Sequence, residues 1–167
     1  MDRYILFSIY MLLSFMFGAT VFFTFIIAPA VFSGMDSRQA SFVMNLIFPY
    51  YFKVGWIAGI VIYTLIGIYT FLKKDAIKEL KHILIALFFI VIINMALDRA
   101  VLPISKSILI EYYQLIDDAN FKEAKLLKEK FDTLHTISSI LNLIYLSILV
   151  YMLYLCFKLK GIWTNKT

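Results

Sequence analysis

The sequence predicts an all-α integral membrane protein, a four-helix bundle, and three observations carry that reading. Of 167 residues, 62% are hydrophobic and only 16% are charged, far from the composition of a soluble domain. The apolar residues gather into four runs, each near the twenty or so residues that cross a bilayer. The basic excess sits at the two ends and in one short loop. Residues 1–3, 73–81 and 158–167 hold eight Lys or Arg against three acids, and the rest of the chain holds eight against eight. Short loops rich in Lys and Arg stay in the cytoplasm, so the sequence predicts a multi-pass protein with both termini inside. The same placement argues for the lipid bilayer as the surroundings and against nucleic acid as a partner. A lone cysteine, Cys156, allows neither an intrachain disulfide nor a multi-thiolate metal site.

A single membrane domain is expected over residues 1–167, with spans at about 4–32, 51–72, 82–102 and 134–159. The first run carries no charge from Tyr4 to about Phe32. It is too long for the apolar region of a signal peptide and reads as an uncleaved span. Pro29 and the Ser33-Gly34 pair are expected to close it. Ser14 and Gly18 put two small residues one turn apart, which permits close helix approach. Asp36 reads as a helix cap with Gln39 three residues on. Ala40, Val43, Met44 and Ile47 then recur at helical spacing up to Pro49, predicting a short interfacial helix in the first outer loop. In the second span Gly55 and Gly59 form a GxxxG, with Gly67 two turns along the same face. Such a face packs helices closely, within the bundle or in a homo-oligomer.

Asp75 to Lys81 reads as the inner loop, and His82 opens the third span. Beyond Pro103 the helical pattern continues with more polar residues, through Ile104, Ile108, Leu109, Tyr112, Leu115 and Ile116. Asp117 to Asn120 breaks it as a turn. The pattern resumes at Phe121, Ala124, Leu127, Phe131 and Leu134 and passes directly into the fourth span. Helices three and four are therefore expected to extend beyond the outer face as an antiparallel hairpin tipped at Asp118.

The candidate site lies on FDTLHTISSILNL, residues 131–143, where His135, Ser138, Ser139 and Asn142 form one polar stripe on an apolar helix. With the hairpin tip at residue 118, residues whose numbers sum to about 236 share a depth. Asn94 then faces Asn142, Asp98 faces Ser138, and His135 lies level with Val101. Ionisable groups at membrane depth are costly and face the bundle interior. Two readings follow. Asp98, Arg99 and His135, with Asp132 one turn away, could clasp helices three and four together. Alternatively, Asn94, Asp98, Arg99, His135, Ser138, Ser139 and Asn142 form an outward-facing pocket for a small ion, a proton or a polar solute. Haem or copper at His135 is a third reading, with Met95 or a tyrosine as second ligand. A two-histidine haem is disfavoured, because His82 lies roughly 28 Å from His135 along the membrane normal. An accessory subunit of a membrane complex, with packing roles only, is a fourth. No catalytic constellation or phosphate-binding loop accompanies these residues, so a non-enzymatic role is expected.

Four stretches, FFTFIIAPAVF (22–32), IFPYYFKVG (47–55), NMALDRAVLP (94–103) and FDTLHTISSILNL (131–143), resemble in order and spacing the transmembrane protein 205-like family. That family is also catalogued as the domain of unknown function 4149. The resemblance implies a four-helix membrane protein and, more distantly, a link to copper-resistance CopD-like and haem-pathway membrane proteins. It also implies that Pro29, Pro49, Asn94, His135, Ser139 and Asn142 occupy the family's recurring positions.

Overall fold

A long apolar run surrounded by lipid must satisfy its own backbone, and the helix is the way a single segment does so. In the computed structural model, which describes residues 2–74 and 76–164, each of the four runs does this. The helices are α1 (Asp2–Phe22), α2 (Ala28–Gly34), α3 (Ser37–Leu72), α4 (Ala76–Ala96), α5 (Leu102–Asp117) and α6 (Phe121–Thr164). A π-helical turn at Phe23–Ile27 joins α1 to α2, and another at Leu97–Val101 joins α4 to α5. No strand occurs among the described residues. Through the π turns the chain makes four helices long and apolar enough to cross a membrane: Tyr4–Gly34, Ser37–Leu72, Leu80–Asp117 and Phe121–Lys158. Their outward surface carries Phe7, Phe15, Ile57, Phe71, Phe88 and Phe157 in the open. An apolar surface of that extent belongs in lipid.

The π turns follow from proline. Pro29 and Pro103 lack the N–H that would bond the carbonyl four residues back, and their rings crowd that carbonyl. Each π turn ends two residues before its proline, at Ile27 and at Val101. The one-residue widening moves the crowded carbonyl aside and keeps the helix continuous. Pro49, inside α3, is accommodated without such a turn.

Three expectations are corrected. The short helix predicted before Pro49 is not a separate element but the first turns of the 36-residue α3. Asp36 does cap it, its Oδ1 accepting from the N–H groups of Arg38 (2.9 Å) and Gln39 (3.0 Å). Those first turns are tied to α5, because the Arg38 guanidinium donates to both oxygens of Asp117 at 3.0 and 2.8 Å and lies 5.0 Å from the Tyr113 ring. The inner loop predicted at Asp75–Lys81 is shorter, since α4 already begins at Ala76; Asp75 lies outside the described residues. The predicted packing face also divides. A Cβ on Gly55 would fall 2.7 Å from the Asn94 Cγ, and one on Gly59 2.8 Å from the Val91 Cγ2, whereas Gly18 and Gly67 have nothing within 4 Å. Among the described glycines only Gly55 and Gly59 admit a close neighbour, α4. Ser14, on α1, is half-buried.

Between α5 and α6 the chain reverses at residues 118–120. The Asn120 N–H bonds the Leu115 carbonyl (2.9 Å) and the Ala119 N–H bonds that of Ile116 (3.1 Å). This pair of bonds ends a helix by a residue in the left-handed region. Ala119, at φ 57°, occupies the position where glycine is usual. The two helices then pack along each other.

The apolar core occupies the half of the bundle where α1 begins and α3 turns into α4. It joins Leu13 and Met16 of α1, Ile62, Ile66 and Tyr69 of α3, Ile83, Leu87 and Ile90 of α4, and Tyr145, Leu149 and Met152 of α6. The other half, where both π turns lie, holds the buried Ser41, Asn94 and Asp98.

Candidate functional site

Asp98 sits within the second π turn with its side chain only 6% exposed. Its Oδ2 accepts from the Trp56 indole N–H of α3 at 3.1 Å. The same oxygen lies 3.4 Å from the Nε of Arg99, whose own side chain is 68% exposed. The carboxylate is thus held from two sides at one oxygen. Its Oδ1 makes no hydrogen bond or ion pair among the described residues.

One turn away, Asn94 is fully buried. Its Nδ2 donates to the Ile90 carbonyl at 2.9 Å, and its Oδ1 has no hydrogen-bond partner among the described residues. The amide oxygen instead faces Gly55, whose missing side chain is what lets it fit. A Cα–H of glycine is a weak donor at such helix contacts.

A second network crosses the bundle one turn away along α3, at Tyr51. The Tyr51 hydroxyl donates to the Asn142 Oδ1 (2.9 Å), and the Asn142 Nδ2 donates to the Thr24 Oγ1 (2.9 Å). Three helical segments, α3, α6 and the first π turn, are joined through one amide. Thr20, one turn below Thr24, is buried and donates to the Met16 carbonyl at 2.7 Å. The Tyr51 ring stacks on Phe23 at a centroid distance of 4.3 Å, and Phe23 packs edge-on to Phe48. The tyrosine is thereby fixed with its hydroxyl pointing at the amide.

The residues predicted from sequence separate into three groups. Asn94, Asp98 and Arg99 share one helix and meet Gly55 and Trp56 of α3. Asn142 belongs to the second network. His135, Ser138 and Ser139 stay on the flank of α6. His135 is exposed, its ring stacked against Phe131 at 6.1 Å. Both serine hydroxyls donate to the His135 carbonyl at 2.8 Å, so their bonds run along their own helix. Asp132 pairs with Lys128. Among the described residues no hydrogen bond or ion pair joins His135 to Asp98, and the predicted pairing of the two stripes gives way to partners on α3 and in the first π turn. Ser138, together with Ser41, Asn45, Ser105 and Phe131, lines a cavity of about 60 Å³ between α3, α5 and α6.

The residues present do not fit a haem or copper centre. His135 and Met95 are both exposed, and no group of three or more His, Cys, Asp or Glu comes together among the described residues. Sequence reading missed Thr20, Thr24, Tyr51 and Trp56. The threonines carry a signal, being two hydroxyls one turn apart in an uncharged run. Tyr51 and Trp56 flank the packing Gly55, which marks where α3 meets its neighbours.

This chain belongs to the family described as a domain of unknown function (DUF4149), whose sequence model matches residues 11–114, more than half of the chain. It is also 40% identical over 67 residues to an uncharacterized protein of Aquifex aeolicus (strain VF5). That match covers 40% of this chain and 46% of the relative, so the chain spans less than half of its length. No solved structure matches.

Proposed function

We propose, from the premise of a four-span member of this family, that the protein handles a small cation or a polar solute in the polar half of its bundle and catalyses no reaction. The observation that carries the reading is Asp98. A carboxylate buried between membrane helices is costly, by less near the outer end of its span than the ~3 kcal/mol of the helix centre, and here both of its fixed contacts fall on Oδ2. Oδ1 is left as an acceptor for a cation or a donor group. Thr24, Tyr51 and Asn142 supply a neutral hydrogen-bonding layer, and Ser41, Asn45, Ser105 and Ser138 contribute the polar groups of a small, mostly apolar cavity beside it. We place both termini on the cytoplasmic side from the distribution of Lys and Arg. The polar half, and the α5–α6 hairpin beyond it, then face outward.

The test is flux in proteoliposomes loaded with a sodium- or potassium-sensitive dye and pulsed with that cation. Wild-type protein is expected to raise the lumenal cation concentration faster than protein-free vesicles do, and Asp98→Asn is expected to abolish the difference. Identical traces from wild-type and empty vesicles would count against cation handling and favour a packing role in a membrane complex. A Cys156→Ser, Asp118→Cys protein should react with an impermeant thiol reagent from outside the cell.

A further inference from the structure

We infer that Arg99, Lys53 and Trp56 form a binding site for the headgroup phosphate of an anionic phospholipid. This does not depend on the solute reading above, because it concerns the lipid-facing side of Asp98. Lys53 lies nineteen residues before Leu72, the end of α3, and Arg99 lies nineteen residues after Leu80, where the third apolar segment begins. At about 1.5 Å per residue both cations stand roughly 28 Å from those ends, close to the ~30 Å hydrocarbon thickness. Two exposed cations on neighbouring helices therefore reach the same headgroup level. Trp56, one turn further in and on the same face of α3 as Lys53, sits where amphipathic aromatics concentrate.

The geometry at Arg99 selects an anion. The Trp56 indole N–H and the Arg99 Nε converge on one oxygen of Asp98, Oδ2, at 3.1 and 3.4 Å. The terminal nitrogens Nη1 and Nη2 make no hydrogen bond among the described residues. They form a planar pair of donors, a shape that matches two oxygens of a phosphate. Lys53 has no ion-pair partner among the described residues and adds a second positive charge. The exposed neighbours of Arg99 along α4 are Ile92, Met95 and Ala96, an apolar track suited to an acyl chain. A charged fork above an apolar track fits a lipid and not a free ion.

The test uses full-length protein with Trp163→Phe, which leaves Trp56 as the single indole, reconstituted in phosphatidylcholine bilayers. Brominated phosphatidylglycerol or brominated phosphatidylcholine is added, and quenching of Trp56 reports which lipid sits beside it. The expected preference for phosphatidylglycerol is about fivefold or more, the effect of a basic residue near an anionic headgroup. Arg99→Gln should remove it, and Arg99→Lys, which keeps the charge without the fork, should retain part of it. Lys53→Gln should lower it and keeps the proposal falsifiable if the Arg99 variants fail to reconstitute. Equal quenching by the two lipids, or an unchanged preference in both the Arg99→Gln and Lys53→Gln proteins, overturns the site. Complete loss of the preference on adding millimolar inorganic phosphate overturns the lipid as its occupant.

Discussion

The two halves of the bundle solve the same problem with opposite materials. Toward the α3–α4 turn, Leu13, Ile66, Leu87, Leu149 and Met152 close the interior with aliphatic and thioether contacts. Toward the other face, the same four helices meet through an indole–carboxylate bond, an amide shared by two hydroxyls, a buried asparagine against a glycine, and two π turns. In lipid there is no hydrophobic drive between helices, so both halves rest on packing and on interhelical hydrogen bonds. The apolar half packs mainly through aliphatic side chains, with the buried hydroxyls of Tyr69 and Tyr145 among them. The other half concentrates a carboxylate and two amides at the helix contacts, and the proposed role rests on that difference.

The contrast can be broken most severely at Gly55. Gly55→Ala drives a Cβ to within 2.7 Å of the Asn94 Cγ, inside a fully packed contact with α4. The expected loss is about 2 kcal/mol, in the range for overpacking, read as a lowered melting temperature in detergent. Gly67→Ala, with nothing within 4 Å, should leave stability unchanged or raise it, by up to ~1 kcal/mol from helix propensity. Equal losses at the two positions would remove Gly55 from the α3–α4 contact.

A smaller effect sharpens the comparison at the amide network. A double-mutant cycle of Tyr51→Phe and Asn142→Leu should give a coupling of about 0.6 kcal/mol, and no more than ~1.7, as interhelical bonds in membranes do. A coupling near zero would mean that the hydroxyl and amide do not act together. Smaller still is Ala119→Gly at the α5–α6 turn, outside both halves. Relief of the left-handed alanine should stabilise by up to ~1 kcal/mol without touching flux.

Much of the architecture was legible because it is periodic. Apolar run lengths located four spans, Asp36 announced its helix, and Asp117–Asn120 announced a turn. Pro49 misled, because a proline within a helix costs one bond and need not end it when neighbouring packing holds the chain. For the site, Asn94, Asp98 and Asn142 could be read as buried polar residues, but not their partners. Depth along a hairpin can be counted from sequence, whereas the rotation of each helix cannot. That is why the partner of Asn142 is Tyr51 and that of Asp98 is Trp56, both on α3. The stripe of His135 is split: the imidazole and Ser139 are exposed, Ser138 is half-buried against a cavity, and both serine hydroxyls bond their own helix.

Under the proposed function Asp98 handles a cation as well as holding Trp56. Asp98→Asn keeps the shape of the side chain and an acceptor for the Trp56 N–H while removing the charge, so it separates the two roles. Melting temperature and cation flux measured on the same preparation decide between them. The account predicts a melting temperature close to wild type with flux reduced to that of empty vesicles. Full flux in the variant, or a fall in flux that only tracks a fall in stability, would contradict it.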